Sequence, residues 1–129
     1  MIGIDTTFII DFLRGDTAAI SKAAEIKAQN LVTTQINVYE VLVGLYLSGA
    51  SGKSFTQFWG LMDKLERLDM GSEATAMSAR LFGECMRKGS RVEQNDCMIA
   101  GILKSQGCSK IVTRNASDFK KLGLDVILY

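Results

Sequence analysis

Short apolar runs recur along this chain between longer stretches of helical periodicity, and that alternation narrows its fold to one broad architecture. Ile2–Ile4, Leu31–Thr34, Arg67–Met70, Lys110–Thr113 and Val126–Leu128 read as strands. Between them the spacing predicts helices over Thr6–Leu13, Thr17–Gln29, Ile36–Leu47, Ser54–Glu66, Ser72–Lys88 and Asn95–Gln106, with a helical turn at Asp118–Leu122. Asp16 and Ser72 stand where side-chain N-caps belong, and Gly107 stands at a C′ position. Gly49–Gly52 is a break between helices. Strands alternating with helices predict an α/β fold, a three-layer sandwich whose mostly parallel central sheet is flanked by helices. A length of 129 residues matches a single domain over 1–129. In such sheets functional groups gather beyond the carboxyl ends of the strands.

Composition removes several chemistries. The chain has no histidine, which excludes Ser-His-Asp and Cys-His nucleophiles and histidine-ligated zinc or iron. Cys85, Cys97 and Cys108 are odd in number, and none stands at CxxC spacing, so they read as small buried apolar side chains in a reducing compartment. Met1 leads into an apolar run without a basic segment, so no secretory signal is expected and a cytoplasmic location is. The longest apolar stretch, Val38–Leu47, is too short to span a bilayer and contains Glu40. With a net charge of +1, affinity for a polyanion has to come from local clustering.

Three acids stand in unfavourable surroundings. Asp5 closes the first strand, Glu40 is the single charge between Leu31 and Gly52, and Asp96 opens a strongly apolar helix. Asn115 and Asp118 follow the strand Ile111-Val112-Thr113. Carboxylates converging in a low-dielectric cleft repel one another unless a cation holds them. Oxygen-only ligation suits Mg²⁺ or Mn²⁺, and the accompanying chemistry is activation of water and charge neutralisation during attack on phosphorus. Each residue also has a plainer account. Asp5 and Asp118 are placed to cap helices, Asp96 suits the dipole of a first turn, and Glu40 suits a buried ion pair. Asp11, Asp16 and Glu25 are assigned to solvated faces or caps.

At this point the residues resemble a known family. Ile4-Asp5-Thr6-Thr7-Phe8-Ile9-Ile10-Asp11-Phe12-Leu13 resembles the opening of PIN domains. Val38-Tyr39-Glu40-Val41-Leu42-Val43-Gly44 is similar to their second motif, and Asn95-Asp96-Cys97-Met98-Ile99-Ala100-Gly101-Ile102 to their third. Val112-Thr113-Arg114-Asn115-Ala116-Ser117-Asp118-Phe119 resembles the fourth, and all four occur in order. The resemblance implies a PIN-like fold and a VapC-like toxin of a toxin–antitoxin pair. It further implies metal-dependent endonucleolytic cleavage of RNA, homodimerisation and neutralisation by a cognate antitoxin. Asp5, Glu40 and Asp96 match the family's acidic ligands. Asn115 falls where an aspartate is common; its amide brings an oxygen without a charge, or leaves the role to Asp118. Thr6 is a candidate to orient a ligand, or a helix cap.

Arg87, Lys88, Arg91 and Arg114 are the basic residues placed to meet a phosphate backbone. Arg87, Lys88 and Arg91 suit a solvated helix end somewhat better, and Arg114 equally suits a salt bridge to a site acid. Phe55, Phe58, Trp59, Leu61, Met62 and Leu65 read as core or dimer packing before base stacking. Two other classes compete with the nuclease: a non-catalytic PIN-like module that binds RNA or protein, and an aspartyl-phosphate domain. For the latter, a receiver wants an acidic pair before the strand end, and a phosphatase wants a second aspartate two residues after Asp5, where Thr7 stands. Gly49-Ala50-Ser51-Gly52-Lys53-Ser54 has neither the spacing nor the preceding strand of a P-loop.

Overall fold

β-Branched and aliphatic residues dominate the short strands, and their two-residue alternation sends neighbouring side chains to opposite faces of a shared sheet. The computed structural model describes residues 1–129 and contains five parallel strands in the order β3-β2-β1-β4-β5. These are β1 (Ile2–Ile4), β2 (Leu31–Thr34), β3 (Glu66–Leu68), β4 (Lys110–Val112) and β5 (Asp125–Ile127). Register pairs Ile2 with Leu31 and Gly3 with Val32 on one side of β1. On its other side Gly3 pairs with Ile111 and Ile4 with Val112. Seven helices connect the strands: α1 (Thr6–Leu13), α2 (Thr17–Ile26), α3 (Gln35–Leu47), α4 (Gly52–Met62), α5 (Ser72–Arg87), α6 (Gln94–Ser105) and α7 (Ala116–Lys121).

The alternation builds two cores. Ile2, Ile4 and Val112 meet Phe8 and Ile9 of α1, Val38 and Val41 of α3, and Phe58 and Met62 of α4. On the opposite face Val32 and Ile111 meet Cys85 of α5, Ile99, Ile102 and Leu103 of α6, and Phe119 of α7. Gly3 is required where β1 passes under α6, because a Cβ there would stand 2.7 Å from Leu103 Cδ1 and 3.2 Å from the Lys110 carbonyl oxygen. The predicted α/β sandwich is therefore present, with every strand pair parallel.

Several local expectations change. α2 stops at Ile26 and α4 at Met62, three and four residues earlier than periodicity suggests. Glu66 is needed as the sheet partner of Val32, and that pairing overrides its expected place in the helix. Asp16 caps α2, accepting from the Ala19 amide at 3.0 Å. Ser72 does not cap α5; Gly71 takes that position, with no side-chain hydrogen bond. The α3 sequence is apolar nearly all round, yet one side faces solvent, leaving Tyr39, Tyr46 and Leu47 exposed. Phe58 and Met62 are core while Trp59 is exposed, its ring 6.0 Å from the Arg67 guanidinium carbon. All three cysteines are free and buried. No helix is long and apolar enough to cross a membrane.

Candidate functional site

The order of the strands reverses at β1, between β2 and β4, and a crevice opens beyond the carboxyl ends at such a switch point. Asp5 leaves the end of β1 there, Thr113 leaves the end of β4, Glu40 projects from α3 and Asp96 from the first turn of α6. The three acids stand around an open cavity of about 700 Å³ lined by Asp5, Thr6, Thr7, Glu40, Glu93, Gln94, Asn95, Asp96 and Asn115. None of these residues is apolar, and none is basic. Asp5, Glu40, Asp96 and Asn115, singled out from sequence, are thus brought together.

Asp5 occupies the N-cap position of α1, but its side chain caps nothing. Its Oδ1 accepts from Asn37 Nδ2 at 3.1 Å, and its Oδ2 accepts from Thr113 Oγ1 at 2.5 Å and Thr7 Oγ1 at 3.2 Å. Three neutral donors hold the Asp5 carboxyl group in place. Asn37, itself buried, also donates to Thr6 Oγ1 at 3.0 Å, and Thr6 Oγ1 donates to Glu40 Oε1 at 2.6 Å. Asn95 Nδ2 lies 3.4 Å from Glu40 Oε2. Glu40 therefore has no ion-pair partner, and Thr6 bonds Glu40 from the first position of α1 rather than capping that helix. Asp96 Oδ2 accepts from Asn115 Nδ2 at 2.9 Å. Asn115 thus presents its amine end to the acid, instead of offering an oxygen beside it.

Electrostatics shows the strain of this gathering. Burial, and then the nearby Glu40 charge, push the Asp5 carboxyl up against the opposing pull of its hydrogen bonds from Thr113, Thr6 and Thr7. Asp96 is pushed up to about 7, first by burial, then by Asp5, by Asp118 and by Glu40. Asp118 lies near Asp96 but outside the lining of the cavity, with Lys121 Nζ 4.0 Å from its Oδ1. The carboxylates do not close on one point: no group of three such side chains is tight enough to cage an ion by itself. The all-oxygen donor set is of the kind that suits Mg²⁺ or Mn²⁺, which retain several waters and take only a few protein ligands.

Arg87 and Arg91 are exposed and lie outside the cavity lining, contrary to the cluster expected beside Asp96. Arg114 is engaged elsewhere, with its Nε 2.8 Å from Asp11 Oδ2. Asp11, expected on a solvated face, is buried. Sequence reasoning misses Asn37 and Thr113. For Asn37 a signal exists: Thr34 and Asn37 stand three residues apart at a helix start, as in a capping box, and the box is formed.

Comparison with known proteins adds a second line. A family model described as PIN domain matches residues 2–124. The chain is 23% identical over 120 residues to the tRNA(fMet)-specific endonuclease VapC of Shigella flexneri, covering 93% of this chain and 90% of the relative. It is 26% identical over 119 residues to the protein of the same name from Salmonella typhimurium, covering 92% and 89%. Its fold is similar to the crystal structure of VapBC2 from Rickettsia felis bound to a DNA fragment from their promoter. The TM-score is 0.88 at 20% identity, over 100% of this chain and 99% of that one.

Proposed function

The chain belongs to the PIN-domain family, and from that premise we propose that it is a metal-dependent endoribonuclease, the toxin of a toxin–antitoxin pair. One observation carries the reading: Asp5, Glu40 and Asp96, from three separate elements, line one polar cavity that no basic side chain enters. Its relatives from Shigella flexneri and Salmonella typhimurium are named as RNA endonucleases, which supports RNA as the substrate class here.

Asp5, Glu40 and Asp96 hold the cation, Mg²⁺ or Mn²⁺, in this reading. When bound, such an ion activates water and neutralises charge that builds on a phosphodiester during in-line attack. The remaining work falls to the chain's own residues. Thr113, Thr7 and Asn37 fix both oxygens of Asp5. Thr6 orients Glu40, and Asn115 orients Asp96. Asp118 adds negative charge near Asp96 and supports a cation there. The exposed edge of Arg114 meets a substrate phosphate at the rim, while Arg87 and Arg91 contribute only longer-range attraction. The likeness to a VapBC complex supports a cognate antitoxin protein as partner, and family resemblance supports a homodimer.

Purified protein should cleave RNA when Mg²⁺ or Mn²⁺ is supplied and stop when EDTA is added. Asp5→Asn and Asp96→Asn should each lower the rate by about a hundredfold or more, because several kcal/mol of charge stabilisation is lost. Gel analysis of a labelled RNA reads both results. Cleavage that survives EDTA and both substitutions would discard the assignment.

A further inference from the structure

Arg114 follows Thr113 and precedes Asn115, the residues whose side chains reach Asp5 and Asp96. A guanidinium on that stretch of backbone, beside Asp5, Glu40 and Asp96 with no other cation among them, would be drawn onto them. It would then stand where a divalent ion is needed. Instead its Nε lies 2.8 Å from Asp11 Oδ2, and its Nη2 donates to Asp11 Oδ1 at 3.0 Å. This two-point fork is the geometry in which arginine binds a carboxylate most tightly. Tyr129 Oη donates to the same Asp11 Oδ2 at 2.6 Å. Burial, and then the hydrogen bond to Asp11, push that phenol up to about 12, so it remains a donor at neutral pH. The Asp11 side chain is 10% exposed and that of Arg114 59%, so the acid is the fixed partner and the base the restrained one. The link continues to the site, because the Arg114 amide donates to Thr7 Oγ1 at 3.1 Å, and Thr7 Oγ1 donates to Asp5.

We propose that Asp11, braced by Tyr129, is a positioning residue that keeps Arg114 at the edge of the cavity and off Asp5, Glu40 and Asp96. The three acids then stay available to a divalent cation while a positive charge stands ready beside them. This rests on the reading of those acids as a cation site.

The test is calorimetric titration of Mn²⁺ alone into the full chain, with folding of each variant checked by circular dichroism. Asp11→Ala weakens Mn²⁺ binding by about tenfold, the usual scale for residues that orient a metal site from outside it. Adding Arg114→Ala in that background restores the affinity to within about threefold of the unmodified chain, because the competing cation is gone. Asp11→Asn and Tyr129→Phe disturb packing less and carry the same test if Asp11→Ala does not fold. Each gives a smaller loss that Arg114→Ala also reverses. A double variant as weak as Asp11→Ala, or Asp11→Ala binding as well as the unmodified chain, overturns the role given to Asp11 and leaves the cation site standing. Failure of the unmodified chain to bind Mn²⁺, or equal binding by Asp5→Asn, overturns both.

Discussion

Asn37 is the side chain on which the largest number of site contacts converge. Its amide accepts from the Thr34 amide at 3.2 Å and from the Thr34 hydroxyl at 2.7 Å, and donates to Asp5 and Thr6. One buried residue thereby closes the start of α3 and sets two of the groups around the cavity. No buried side-chain polar atom lacks a partner, so removing Asn37 breaks a fully satisfied network. Asn37→Ala should cost about 3 kcal/mol, from a lost cap and from polar groups left unpaired. Urea unfolding measures it, and a loss below about 1 kcal/mol would show that water replaces the amide without penalty. At this scale the sequence is legible for the acids and opaque for their supports. Asp5, Glu40 and Asp96 are conspicuous because charge in apolar sequence demands a reason. Asn37, Thr113 and Tyr129 are ordinary residues until the fold decides what they touch. Asp11 is misread from sequence because its partners lie 103 and 118 residues away.

Among the elements, α6, which carries Asp96 in its first turn, crosses α5 at close range. Gly101 of α6 lies against α5 so closely that a Cβ would run into the Ser78 hydroxyl, and would stand 2.9 Å from the Ser78 nitrogen and 3.0 Å from the Ala74 carbonyl oxygen. Two of these obstacles are backbone and cannot rotate away. Gly101→Ala should therefore destabilise the protein by about 1–3 kcal/mol, the range for overpacking, despite alanine's better helix propensity. Gly83 is the control. It lies in α5 with nothing within 4 Å of its would-be Cβ, so Gly83→Ala should stabilise by up to about 1 kcal/mol. Thermal melts of the two variants should move in opposite directions, and parallel shifts would show that α5 and α6 are free to separate. Element types are readable from periodicity, since β1, α1 and β2 all begin and end where the apolar pattern does. Boundaries fail at α2 and α4, where good helix-forming residues are taken over by turns and by pairing along β3. A close helix crossing leaves only a lone glycine in the sequence.

For the molecule as a whole, the gathered acids make folding depend on protons and, under the proposed function, on divalent ions as well. Asp5 is raised from the ordinary carboxyl value of 3.8, and Asp96 from 3.8 to about 7. Between those limits the folded chain binds more protons than the unfolded one, so from these two groups stability must fall as pH rises through that window. This is opposite to the behaviour of a carboxylate stabilised by an ion pair. In the proposed cation site a divalent ion would take the place of the protons, and its binding would strengthen as they leave. The stabilisation it gives, which grows with concentration over dissociation constant, should therefore be larger at about pH 8 than at about pH 5.5. In EDTA the melting temperature should be lower at the higher pH, and saturating Mg²⁺ should narrow or reverse the difference. Asp96→Asn removes one of the two protonation sites, so it should flatten the pH dependence in EDTA and raise stability at pH 8. It should also weaken the response to Mg²⁺. Differential scanning calorimetry at the two pH values, with and without Mg²⁺, separates these effects. A metal-free protein that gains stability with rising pH, and keeps that slope in Asp96→Asn, would mean that the acids are not forced together by the fold.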